Sequence, residues 1–110
     1  MNTSPAEKFF DELGQAISGN EQKSMFGKPC YNYGRKPFIM FFDDELVCKL
    51  FDEIREEAIQ LKGSSLFDPS GKGKPMKNWI QLPFTHKKKW EHYAQKAFAF
   101  VQAESEAKKK

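Results

Sequence analysis

The 110-residue sequence contains only two cysteines, Cys30 and Cys48, and two histidines, His86 and His92. Two cysteines cannot build a disulfide scaffold. With no CxxC spacing and with each histidine standing alone, a metal centre is not expected either. Cys30 and Cys48 read instead as small apolar strand residues of a reducing compartment. The chain opens with no basic-then-apolar leader pattern, and no apolar run approaches the roughly 20 residues of a membrane helix. A cytoplasmic protein with no membrane partner is expected. There is no internal repeat and no internal boundary, so the length suits one domain over residues 1–110.

What is present is a globular composition: 39% hydrophobic and 30% charged, with 11 Phe, 2 Trp and 3 Tyr to fill a modest core. The net charge of +3 says little, but its distribution says more. Residues 1–70 hold 8 Lys/Arg against 12 Asp/Glu, a net of −4, and residues 71–110 hold 10 Lys against 3 Glu, a net of +7. Lys72, Lys74, Lys77, the run Lys87-Lys88-Lys89 and the tail Lys108-Lys109-Lys110 make up most of the basic part. Such asymmetry points to a polyanion or an acidic protein surface as partner, against the plainer reading of a solvated helix start and a frayed tail.

Local signals predict the order α-β-β-β-α-β-α. Ser4-Pro5-Ala6-Glu7 is a helix start, with Ser4 as cap and Pro5 in the first turn. Phe9, Phe10, Leu13, Ala16 and Ile17 then share one face to about Ser18, and Gly19-Asn20 stops the helix. Residues 24–33 read as a strand, with Pro29 forcing an edge position or a bulge. Phe38–Phe42 is an apolar run covered on both faces, Asp43-Asp44-Glu45 turns the chain, and Leu46–Leu50 continues a meander. Asp52 can cap a helix over 52–62 that buries Ile54, Ala58 and Leu61 and ends at Gly63. Residues 64–75 read as a loop and Met76–Leu82 as a strand. Thr85 can cap a helix over 85–103 whose stripe is Trp90, Tyr93, Ala94, Ala97, Phe98 and Val101. Residues 104–110 read as a fraying end. The expected fold is α+β, a mainly antiparallel sheet of four to five strands with flanking helices.

No catalytic constellation emerges. Gly71-Lys72-Gly73-Lys74 lacks the Walker spacing and precedes a strand rather than a helix, so it reads as a flexible connection. Cys30 has no helix N-terminus or other feature to lower its pKa, and a packed cysteine is the better reading than a nucleophile served by His86 or His92. Asp43, Asp44 and Glu45 read as a solvated turn rather than a carboxylate site. Glu91 and His92 are adjacent on a helix and do not face each other. No nucleophile, base and orienter come together, so no enzyme activity and no cofactor are expected. Lys77 and Trp79 alternate on a strand, and Lys87–Lys89 precede Trp90. That pattern allows nucleic-acid binding by phosphate contact and stacking, against the reading that both tryptophans are core.

Met25-Phe26-Gly27, an aromatic strand, and then Asp43-Asp44-Glu45-Leu46-Val47-Cys48-Lys49 resemble the N-terminal domain of the TfoX/Sxy family. Gly73-Lys74-Pro75-Met76-Lys77-Asn78-Trp79-Ile80 is similar to the Gly-Arg-Pro-Met stretch and following strand of its stand-alone members. Trp90 and Ala97-Phe98-Ala99-Phe100 resemble its closing helix. Lys28-Pro29 replaces the family's usual Gly after Met-Phe-Gly, and Lys49 stands where an aromatic or aliphatic is common. The resemblance spans roughly residues 7–101 and implies an α+β domain related to YjbR-like folds. It also implies a non-enzymatic regulatory or interaction module like that of competence regulators, and it supplies no catalytic residues.

The binding residues expected from these readings are Lys72, Lys74, Lys77, Lys87, Lys88 and Lys89. A protein partner is the first expectation and direct nucleic-acid binding the alternative. The two-sided apolar strand Phe38–Phe42 adds a further expectation. Only one of its faces can pack on the two long helices, so the other needs the 52–62 helix, the 64–75 loop or a second subunit as cover, which makes a homodimer through that face an open prospect.

Overall fold

A computed structural model of the chain describes residues 4–19, 22–25, 28–34, 36–68 and 76–107, without the side chains of Met25, Met76, Lys77 and Ala107. The first helix, α1, runs Pro5–Ser18. It starts as its sequence dictates: Ser4 accepts a 3.1 Å hydrogen bond from the Glu7 N–H, satisfying one of the donors a helix start leaves unpaired. It stops at Gly19, whose φ of 69° is the left-handed conformation suited to glycine.

Four strands follow, β1 (Lys23–Met25), β2 (Lys28–Tyr33), β3 (Lys36–Phe42) and β4 (Glu45–Lys49). Then come α2 (Asp52–Ile59), β5 (Ser65–Phe67), β6 (Met76–Leu82), a 3₁₀ turn over Phe84–His86, and α3 (Lys87–Ala107). The strands form one six-stranded sheet in the order β1-β2-β3-β4-β6-β5, antiparallel at every junction. The architecture is therefore α+β with helices flanking an antiparallel sheet. Among the described residues no helix is long and apolar enough to cross a membrane.

Several boundaries differ from the sequence reading, each for a local reason. Residues 24–33 make two strands, so Pro29 lies on the second strand and not at the edge; the edge is β1. Met25 pairs with Lys28 across two intervening residues, which makes that the hydrogen-bonded pair and Ser24–Pro29 a non-hydrogen-bonded one. The N–H that Pro29 lacks is thus not required by β1. The bulge falls instead between Tyr31 and Asn32, where Tyr31 pairs with Ile39 and Asn32 with Pro37. Phe38 is the extra residue there. The segment read as loop 64–75 contributes β5 at the far edge, and its residues 69–75 lie outside the described part.

The second helix ends at Ile59 rather than 62, and Asp52 does not cap it. Phe51 occupies the cap position without a side-chain bond, and Asp52 is the first helical residue with a φ of 54°. Thr85 does not cap α3 either, because it lies inside the 3₁₀ turn that leads into the helix. At its other end α3 runs to Ala107, past the expected fraying point at 104. Glu104 anchors this end to the sheet through Lys49 at 3.4 Å and Lys36 at 3.7 Å.

One face of the sheet carries Tyr31, Ile39, Phe41, Leu46, Cys48, Ile80 and Leu82 against α1 and α3, whose contributions include Phe10, Leu13, Trp90, Tyr93, Ala97 and Val101. The bulge turns Phe38 toward the same core, where its ring meets Phe98 edge-on at 5.0 Å. Each large side chain buried here contributes roughly 1.5–3 kcal/mol relative to exposure. The α2 helix adds Ile54, Ala58 and Ile59 to this same core, with Leu61 just beyond its end, so it does not cover the opposite face. That face holds a second cluster of Cys30, Met40, Val47, Phe67 and Trp79, with Phe42 beside it. Met40, Val47 and Phe67 are fully buried within the single chain, so this face does not require a second subunit to leave water.

Candidate interaction surface

The start of α3 is fixed from below by one carbonyl. Pro83 O accepts the Trp90 indole N–H at 3.1 Å and the His86 backbone N–H at 3.0 Å. Trp90 is fully buried, and this bond satisfies its single donor. The His86 ring reaches across to the Lys62 carbonyl at 2.8 Å, tying the chain just beyond α2 to the turn before α3. A hollow of about 470 Å³ lies here, lined by Lys62, Gly63, Pro83, Thr85 and His86.

Beside that hollow stand Lys87, Lys88 and Lys89, all exposed on the first turn of α3. The apolar stripe begins only at Trp90, which leaves the three lysines outside the core. Lys87 Nζ lies 5.2 Å from the Phe84 ring centroid, a cation–π contact. No acidic residue occupies that first turn. Three cations therefore sit at the positive end of the helix dipole, an arrangement that favours an incoming anion and disfavours the bare surface.

Of the other expected binding residues, Lys72 and Lys74 lie outside the described residues. Lys77 lies on β6, the strand between β4 and β5. The structure thus brings Lys87, Lys88 and Lys89 together with Lys62, a lysine the sequence reading did not single out.

Both tryptophans are core: Trp90 in the helix-side cluster and Trp79, 6% exposed, in the cluster on the other face. Neither offers a stacking platform. The cysteines are also withdrawn. Burial raises the pKa of the Cys30 thiol and raises that of Cys48 well above its usual value, which disfavours the thiolate that a nucleophile needs. Cys30 belongs to the face opposite the helices, whereas His92 is exposed on α3. Asp43 and Asp44 both take positive φ, 54° and 59°, and form the two-residue turn between β3 and β4. Asp44 accepts a hydrogen bond from Ser4 Oγ at 2.9 Å, and Glu45 accepts one from Gln81 at 2.6 Å. Among the described residues no group of His, Cys, Asp or Glu is placed to hold a metal.

A second charged feature was missed in the sequence. Asp52, Glu53, Glu56 and Glu57 are exposed on α2 beside an open hollow of about 660 Å³. The signal was the spacing, since carboxylates three and four apart on a helix fall on one side of it. Glu57 accepts the Tyr93 hydroxyl at 2.6 Å, and Glu56 pairs with Arg55.

No family model, curated protein or solved structure matches the chain.

Proposed function

We propose that the chain is a non-enzymatic interaction module of the kind its resemblance to the TfoX N-terminal domain implies, binding an acidic partner surface through Lys87, Lys88 and Lys89. The observation that carries this reading is the exposure of three consecutive lysines on a helix start whose own dipole opposes them. Their place beside Lys62 and the hollow under His86 extends the positive surface beyond one helix turn. The buried, high-pKa thiols supply no nucleophile and so favour binding over catalysis. Regulation, as in competence control, is the role the resemblance attaches to such a module, and a reducing cytoplasm is the compartment that fits its free thiols.

Direct nucleic-acid binding is the second reading, and the same lysines favour it because phosphate contacts need no aromatic partner. The burial of Trp79 and Trp90 removes the stacking contribution that would suit a single-stranded ligand.

Capture from native lysate, with and without nuclease, separates the two. It is run with the unaltered chain and with the Lys87→Glu/Lys88→Glu/Lys89→Glu variant. A nuclease-resistant partner bound by the unaltered chain and lost by the variant is the expected result. A partner lost on nuclease treatment transfers the function to nucleic acid, and full retention by the variant overturns the assignment of the surface.

A further inference from the structure

The helix pair α2 and α3 forms a single exposed ridge whose two ends differ in the sign of their net charge, acids outnumbering cations at one and lysines outnumbering acids at the other. Three contacts establish that the helices run side by side in opposite directions. The Phe51 ring meets Phe100 at 5.5 Å at one end, Tyr93 donates to Glu57 in the middle, and His86 bonds the Lys62 carbonyl at the other end. Asp52, Glu53 and Glu56 belong to the Phe51 end, where Arg55 pairs with Glu56 and Lys96 of α3 is exposed, and Lys62, Lys87, Lys88 and Lys89 belong to the His86 end, where Glu91 is exposed. The three carboxylates and the four lysines of the His86 end are all exposed. Among the described residues Asp52, Glu53, Lys62, Lys88 and Lys89 make no ion pair. From Lys87 to Phe100 the helix rises about 20 Å, too far for the two ends to neutralise each other within one chain.

We infer that this ridge is the contact surface for a second copy of the chain, in a two-fold dimer. A two-fold axis through the middle of the ridge, near Tyr93 and Glu57, lays the acidic end of one copy on the basic end of the other, and does so twice. Such an interface is self-complementary and closed, as two-fold dimers require. The open hollow along α2, about 660 Å³ and lined by Glu53, Arg55 and Glu56 among others, gives the incoming lysine side chains room. The half-buried Phe51–Phe100 pair borders the acidic end and supplies apolar area at the rim. The dimer differs from the one expected through the second sheet face, since Met40 and Val47 on that face are already fully buried in the single chain. It uses the same lysines as the proposed partner surface but needs no foreign partner, so each copy shields the other's binding residues at low salt.

Exposed ion pairs are individually weak and are screened by salt, so the dimer is a weak and salt-sensitive one. Sedimentation velocity at low ionic strength, and again in roughly 1 M salt where the screening length falls to about 3 Å, reads it directly. The unaltered chain is expected to form a dimer at low salt and a monomer at high salt. Lys88→Glu/Lys89→Glu alone, and Glu53→Lys/Glu56→Lys alone, are each expected to weaken dimerisation by roughly tenfold or more. The variant carrying all four changes keeps the net charge of +3, because the two sets cancel, and is expected to dimerise again. Circular dichroism on each variant confirms that it is folded. A monomer at low salt, an open series of oligomers, or failure of the four-fold variant to recover would each overturn the inference. A low-salt monomer that still captures a nuclease-resistant partner would overturn the dimer alone and leave the interaction-module reading standing.

Discussion

Gly14 of α1 lies flat against the ring of Tyr31 on β2, so close that a Cβ on Gly14 would come within 2.2 Å of Tyr31 Cδ2 and 2.5 Å of Cε2. The ring is rigid and fully buried, and its hydroxyl is held by Asp11 at 3.2 Å, so it cannot swing aside. A mid-helix glycine ordinarily costs up to about 1 kcal/mol relative to alanine. Here it is what lets the helix dock on the sheet.

Gly14→Ala is therefore expected to destabilise the protein despite the better helix former. The overpacking cost is about 1–3 kcal/mol, read as a lower denaturation midpoint. In a Tyr31→Ala background the same change should become neutral or stabilising. A stabilising Gly14→Ala in the otherwise unaltered chain would show that α1 can shift away from the sheet.

Trp90 and Phe98 share one helix but not one fate. Trp90 is fully buried with its indole N–H on Pro83 O, while Phe98 is only half-buried between Phe38 and Tyr33. Trp90→Ala should cost about 3–5 kcal/mol, the usual range for a large buried aromatic, and Phe98→Ala clearly less, about 2 kcal/mol. Equal losses in chemical denaturation would contradict the half-exposed position of Phe98.

The helices and the central strands were legible because their signals are local. Ser4, Pro5 and Gly19 mark both ends of α1, and the 3.6-residue stripe from Trp90 to Val101 marks α3. The misplaced features depend on contacts distant in sequence. Nothing near Phe38 announces a bulge, which exists because β2 and β3 must both present residues to the same core. Nothing near Glu104 announces that Lys36 and Lys49 hold the end of α3. The three-residue strands β1 and β5 are too short to carry a pattern, and pairing alone defines them. Of the candidate surface, the lysine run was visible as composition. Its neighbour Lys62 and the opposing acidic helix became relevant only when the fold set α2 beside α3.

Met40 tests how the second sheet face is covered. Met40→Ala should cost about 2–5 kcal/mol, as for other fully buried methionines. In roughly 1 M salt, where contacts between exposed charges are screened, the unfolding midpoint of the unaltered chain should not depend on protein concentration. A midpoint that rises with concentration under those conditions would mean that a second subunit completes this face.

Stability should fall at alkaline pH, beginning with the cysteines. Burial raises the pKa of Cys30 and Cys48 in the folded chain above the ordinary thiol value of 9.0. Tyr31 is raised above the ordinary 10.0 mainly by burial, and Tyr93 by burial and then by its hydrogen bond to the Glu57 carboxylate. For each group the folded state keeps its proton at a pH where the unfolded chain has lost it. The stabilisation is complete below the unfolded value and is lost as pH rises toward and through the folded one. The stability curve should therefore be flat with respect to these four groups up to about pH 8, turn down near pH 9 as unfolded thiols ionise, and steepen above pH 10 as unfolded tyrosines follow. Cys48→Ala should flatten the segment between about pH 9 and 10 even though the cavity lowers stability at neutral pH, and Tyr93→Phe should flatten only the segment above about pH 10. Urea denaturation midpoints measured across this range provide the check. A Cys48→Ala curve parallel to that of the unaltered chain would show that the thiol reaches solvent in the folded protein.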